Sequence, residues 1–93
     1  MAQRATLPGQ FELLLLQSEG YLVDAMPAEP IGVLDEVVVD RDGRPTELVV
    51  ACGWFGRRRC SVGVDEVHDI EPENRRVRVR RSAASIAAEL HRT

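Results

Sequence analysis

Arginine supplies all 12 basic residues of this 93-residue chain, and two groups of them are spaced to meet a charged partner. Arg57-Arg58-Arg59 follows Trp54-Phe55 closely, which sets a cation patch beside aromatic rings. Arg76, Arg78 and Arg80 alternate with Val77 and Val79, so an extended strand there carries guanidinium on one face and valine on the other. A guanidinium forks onto carboxylates and phosphates, and an aromatic ring can stack on a base. These residues could grip a phosphate backbone. They equally describe a solvated exterior whose arginines pair with Glu66, Asp69, Glu71 and Glu73. The net charge of −3 favours the pairing, because a non-specific nucleic-acid binder carries a strongly basic surface. Trp54 and Phe55 either plug one end of the fold or anchor a protein interface, where Trp and Arg are enriched.

The other reactive side chains are sparse. Cys52 and Cys60 flank the Gly53–Arg59 segment, and a hairpin there would bring them near each other across two strands. Two small buried apolar residues are one reading. A thiol-based redox pair is the alternative, against which a reducing compartment weighs. His68, His91 and the cysteines lack paired ligand spacing, so no metal site is expected. Asp40-Arg41-Asp42-Gly43 brushes against a calcium loop. With Gly43 at the loop's glycine position, however, the first and last ligands would be Val38 and Val49, which excludes it. Ser61 and Ser82 have no nucleophile-elbow setting, and Gly53 and Gly56 lack the lysine of a phosphate loop. No catalytic constellation and no cofactor motif is present, so an enzyme is not expected.

The elements that must position these residues are short and β-rich. Gln10 to Ser18, QFELLLLQS, is read as a short helix that ends at Gly20, although four consecutive leucines suit a strand as well. Tyr21 to Asp24 is a first strand, and AMPAEP an extended connection limited by Pro27 and Pro30. Ile31 to Asp40 is a long strand with Ile31, Val33, Val37 and Val39 expected inward. Asp35 then falls on the wrong face or at a bulge, and is expected to be held by backbone amides or an arginine. Asp42-Gly43 signals a tight hairpin, which Pro45 leaves into the strand Thr46 to Cys52. Leu48, Val50 and Cys52 share its inner face, while Val49 and Ala51, joined by Val38, make the outer face apolar too. Arg59 to Gly63, Val67 to Glu71 and Arg75 to Arg80 complete the strands. Ser82 to Arg92 is a helix with Ser82 as its cap and an Ile86–Leu90 stripe.

The order Ile31-Gly32-Val33, Asp35, Val37-Val38-Val39-Asp40, Asp42-Gly43-Arg44, Leu48-Val49-Val50, Gly53-Trp54-Phe55-Gly56 and Asp69-Ile70-Glu71-Pro72 resembles the PRC-barrel domains. The resemblance covers about Tyr21 to Arg80. It implies a mainly β fold, a small antiparallel barrel of about six strands with short N- and C-terminal helices. One domain is expected over 1–93, with the barrel at 21–81, an N-terminal extension at 1–20 and the last helix at 82–92. The family includes the cytoplasmic barrel of the photosynthetic reaction-centre H subunit, half of a ribosome maturation factor, and small bacterial and archaeal stand-alone proteins. The shared use it implies is a docking surface rather than a reaction.

The apolar run Leu13 to Leu16 is far short of the ~20 residues that span a bilayer. The N-terminus lacks a secretory signal, so a cytoplasmic setting is expected. The surplus apolar surface at Val38, Val49, Ala51, Ile86 and Leu90 points to a homodimer or a helix-covered face. The expected function is a non-catalytic self-association or adaptor module with a protein partner. An RNA or ribosome-assembly module using Trp54, Phe55, Arg57, Arg58, Arg59, Arg76, Arg78 and Arg80 is the alternative, and a switch at Cys52 and Cys60 a second.

Overall fold

The computed structural model describes residues 9–53 and 57–90, with side chains as far as residue 86 of the last helix. Helix α1 (Gln10–Leu16) is followed by β1 (Leu22–Met26), β2 (Glu29–Val39), β3 (Pro45–Cys52) and β4 (Arg58–Gly63). A 3₁₀ turn (Val64–Glu66) then leads into β5 (Val67–Glu71), β6 (Arg76–Ser82) and helix α2 (Ala83–Leu90). The strands form one sheet in the order β4-β3-β2-β1-β6-β5. Its ladders are antiparallel except β1–β6, which is parallel.

The sheet curls because its ladders are repeatedly out of step. Register shifts fall at Val23/Asp24, Asp24/Met26, Leu34/Glu36, Val38/Val39 and Val67/Asp69. Each extra residue bends its strand and tightens the local twist. The concave side encloses a core of mainly Val and Leu, including Val23, Leu34, Leu48, Val50, Val62, Val77 and Val79. No ladder joins β4 to β5. Helix α2 packs on both β4 and β6, and its Ile86 is buried in the core, so the helix plugs the side where the sheet stays open. Helix α1 packs on β3 and β5 and contributes Leu15.

Local chemistry explains the ends of these elements. The Ser85 N–H donates to Ser82 Oγ at 3.1 Å, so Ser82 caps α2. At the β2–β3 tip Asp40 Oδ1 accepts from the N–H groups of Asp42 (2.9 Å) and Arg44 (3.0 Å), while Gly43 takes φ +83°. An aspartate folding its own backbone and a glycine with positive φ make a sharp reversal.

Three expectations change. AMPAEP is a hairpin turn, not an extended connection. Met26-Pro27 is cis, and β2 begins at Glu29 with Pro30 opposite Asp24. Val33 and Val39 do not face inward on β2. They are exposed, whereas Leu34 and Val37 are buried. The bulge at Asp35 inserts one residue and switches the inward parity from even to odd, which turns Val33 out and Val37 in, and a second register shift at Val38/Val39 leaves Val39 exposed. Ile86 does not cover the outer face either, because it points into the core.

At Gly32 the backbones of β2 and β3 approach too closely to admit a side chain. A Cβ there would run into the Ala51 carbonyl oxygen and sit 3.0 Å from Cys52 Cβ. Overpacking typically costs ~1–3 kcal/mol, and a backbone atom cannot rotate away. Gly32→Ala is therefore expected to lower the urea midpoint by the equivalent of about 3 kcal/mol. A variant as stable as the parent would show that β2 and β3 part easily at this point.

Candidate functional site on the outer face of the sheet

The pairing registers line up one outward row across all six strands. It runs Arg59, Ala51, Val33, Leu22, Arg76, Glu71 from β4 to β5. Toward the β2–β3 tip the next outward rows hold Glu36, Val49 and Ser61, then Val38, Glu47 and Gly63. Leu22, Val33, Ala51, Val49 and Val38 thereby form a continuous apolar band across β1, β2 and β3. Leu22 and Val33 are each 40% exposed, and the other three are half-buried. An isolated exposed valine needs no explanation, but a contiguous band on a sheet face is the usual mark of a binding surface.

The band exists because β2 is bulged. The Gly20 N–H donates to Leu34 O at 2.7 Å, and the Leu34 N–H donates to Tyr21 O at 2.8 Å. Three residues on, the Val37 N–H donates to Glu19 Oε2 at 3.1 Å. The segment 19–21 thus grips β2 on both sides of Asp35. Asp35 itself is exposed and pairs with Arg59 (Nε–Oδ2 3.2 Å). The expected bulge and the expected arginine partner are both present, although the carboxylate is not buried.

The sequence-marked arginines divide by environment. Arg76 Nη1 donates to both oxygens of Asp24, at 2.8 and 2.9 Å, and the Asp24 side chain is only 6% exposed. Arg78 reaches Glu71 at 3.3 Å, and its Nε is buried with no partner among the described residues. Arg59 is held by Asp35. Arg57, Arg58 and Arg80 are exposed. They lie toward one end of the sheet, where the β1–β2 turn, the β3–β4 connection and the end of β6 also fall. Trp54, Phe55 and the side chain of Leu90 lie outside the described residues. Arg81 had no marked role in the sequence, yet it forks onto Glu66 at 2.9 and 3.0 Å. Arg75, at φ +54°, places its guanidinium 5.7 Å from the centre of the Tyr21 ring.

Cys52 and Cys60 are both buried free thiols. Cys60 stands opposite Val50, and Cys52 opposite Arg58, so the pair is diagonal across the ladder. Diagonal neighbours are ~7–8 Å apart, beyond the usual span of an unstrained disulfide. A cleft of about 260 Å³ between α1 and the β2–β3 tip is lined by Glu12, Leu13, Leu16, Asp42, Gly43, Arg44 and Pro45. It falls below the ~300–1,000 Å³ of typical small-molecule sites. Among the described residues, no group of three or more His, Cys, Asp and Glu is placed to hold a metal ion.

The profile of the PRC-barrel domain matches residues 21–86, most of the chain. The chain belongs to the PRC-barrel family. No curated protein matches it. Among solved structures the barrel is similar to RimM of Pseudomonas aeruginosa, named as a 16S ribosomal RNA processing protein. The TM-score is 0.56 at 20% identity, with 87% of this chain and 49% of that one covered. This PRC-barrel therefore spans about half the length of that neighbour, and the likeness is one of fold. No described helix is long and apolar enough to cross a membrane.

The two best-defined ion pairs should behave differently. Asp35 and Arg59 are 47% and 53% exposed, and such pairs are worth ~0–1 kcal/mol. Asp24 is enclosed while Arg76 remains 36% exposed, so losing the carboxylate strands a cation that can still reach water. Asp24→Asn is expected to cost roughly 2 kcal/mol, below the ~3–5 kcal/mol of a fully buried pair. Asp35→Asn should cost under about 1 kcal/mol. Chemical denaturation of both variants checks the order, and equal losses would contradict it.

Proposed function

We propose that this PRC-barrel is a non-catalytic docking module of the cytoplasm, acting through the outer face of its sheet. One observation carries the reading: Leu22 and Val33 stand exposed at the centre of an apolar band that the core does not use. Burying apolar surface is worth about 25 cal/mol per Å², so a contiguous band supplies binding energy that scattered residues cannot. The charges around it support protein recognition. Arg59, Arg76 and Arg78 are neutralised by carboxylates of the same chain, which leaves few cations for a phosphate backbone. Affinity capture from the native lysate, with and without nuclease, tests this. A protein captured by the parent, resistant to nuclease and lost on Val33→Glu supports the reading. Capture unaffected by Val33→Glu would overturn it.

A second reading, an RNA or ribosome-assembly module, is favoured by the likeness to RimM together with the exposure of Arg57, Arg58 and Arg80 toward one end. Three phosphate contacts to a single strand predict a slope near −2 of log affinity against log salt. Arg57→Ala with Arg58→Ala should flatten that slope to about −1. The Arg76→Ala variant should act mainly on stability, because Arg76 is engaged by Asp24. Filter binding at low salt decides, and no binding there removes this reading.

A further inference from the structure

We infer that the occupant of the outer face is a segment of another protein that lays aliphatic side chains on the band and brings two basic side chains to Glu36 and Glu47. The inference rests on the docking reading and names the chemistry of the partner. The three strands that carry the band hold five acidic residues, Asp24, Glu29, Asp35, Glu36 and Glu47, and no basic one. Arginines of the neighbouring strands answer two of them, since Arg76 holds Asp24 and Arg59 holds Asp35. Glu36 stands opposite Val49, and Glu47 opposite Val38. Both carboxylates are exposed, and neither has an ion pair among the described residues.

Position gives these two groups their weight. Glu36 lies inside the band, so a partner that covers Val33 and Val49 takes its carboxylate out of water as well. A carboxylate buried without a cation or donors is heavily penalised, whereas an ammonium or guanidinium set against it offsets the loss. A phosphate backbone would add charge of the same sign and is repelled here. A second copy of this face does not fit either, because its β1, β2 and β3 bring no cation to the contact. The ends of the sheet are mixed in charge and do not alter this. The β2–β3 tip carries Asp40, Arg41, Asp42 and Arg44, two charges of each sign, and the opposite end sets Glu29 among Arg57, Arg58 and Arg80.

Spacing narrows the segment. Glu47 lies two residues along β3 from Val49, which Glu36 faces, so the two carboxylates are diagonal neighbours across the ladder. Such neighbours are ~7–8 Å apart. Residues i and i+2 of a strand are ~6.6 Å apart, and residues i and i+4 of a helix are ~6 Å apart along its axis. Two Lys or Arg at either spacing, next to an aliphatic anchor, match the pair of carboxylates and the valines between them.

Selection from a random peptide display library on the full chain tests this, at physiological ionic strength where distant surface charges are screened. The control is the double variant Leu22→Ser with Val33→Ser, which weakens the band without adding charge. Peptides that bind the parent and not this variant are expected to join aliphatic residues to Lys or Arg at i, i+2 or i, i+4. For such a peptide Glu36→Gln should cost about tenfold in affinity, because it strands the peptide's cation. Glu73→Gln removes the same charge at the β5–β6 turn and should cost under about twofold. Each variant should keep the far-ultraviolet spectrum and melting cooperativity of the parent. Band-dependent peptides that are neutral or acidic overturn the inference and leave the docking reading standing. Basic peptides that lose as much on Glu73→Gln as on Glu36→Gln report only the net charge of the chain and overturn it too. RNA binding or self-association that the band variant abolishes names another occupant and likewise overturns it. An absence of band-dependent peptides overturns the inference, while lysate capture lost on Val33→Glu would still uphold the docking reading.

Discussion

The bulge at Asp35 decides how this small sheet divides inside from outside. In a regular strand of period two, Val33 and Val37 share one face. The extra residue breaks that rule, and Leu34 and Val37 turn inward together. The backbone of Leu34 is satisfied by residues 20 and 21, and the Val37 N–H by the carboxylate of Glu19. Buried backbone groups must be paired, so these bonds hold the bulge where the ladder alone could not. The consequences spread both ways. The core receives Leu34, and the exterior receives Val33, which completes the band from Leu22 to Val38.

Charge in this chain serves structure first. Asp24 and Arg76, 52 residues apart, meet in a bidentate pair against the sheet. Glu66 with Arg81 and Glu71 with Arg78 tie the 3₁₀ turn and β5 to β6. A chain of 93 residues with a net charge of −3 must hold its charges in low-cost places, and cross-strand pairs are such places. Exposed charges such as Glu36 and Glu47 border the apolar centre of the outer face.

The PRC-barrel fold by itself names no chemistry, since a fold hosts a function only through the site it carries. Here the concave side is filled mainly with valine and leucine, and Ile86 of α2 is buried among them. The convex side has the surplus. The helices contribute Leu15 and Ile86 to the core, and the band on β1, β2 and β3 is left for contact with another surface.

Much of the architecture was legible in the residues alone. Asp42-Gly43 specified a tight reversal, because glycine accepts positive φ and an aspartate folds its own backbone. Leu48, Val50 and Cys52 declared the inner face of β3, and Val77 and Val79 that of β6, because period two is a local property of an extended chain. Ser82 announced the start of α2 by the same local logic. Three things were settled only by tertiary structure. The inward parity of β2 depends on Glu19, whose distance from Val37 in the chain conceals the bond. The choice of Asp24 for Arg76, and of Glu66 for Arg81, depends on which strands become neighbours, and the parallel pairing of β1 with β6 carries no short-range signal. The burial of Ile86 depends on α2 packing against both β4 and β6, strands far apart in the chain. Periodicity, turns and caps act within a few residues and can be read along the chain. Bulge positions, ion-pair partners and the face left exposed arise from contacts between distant segments, and exist only once those segments are packed.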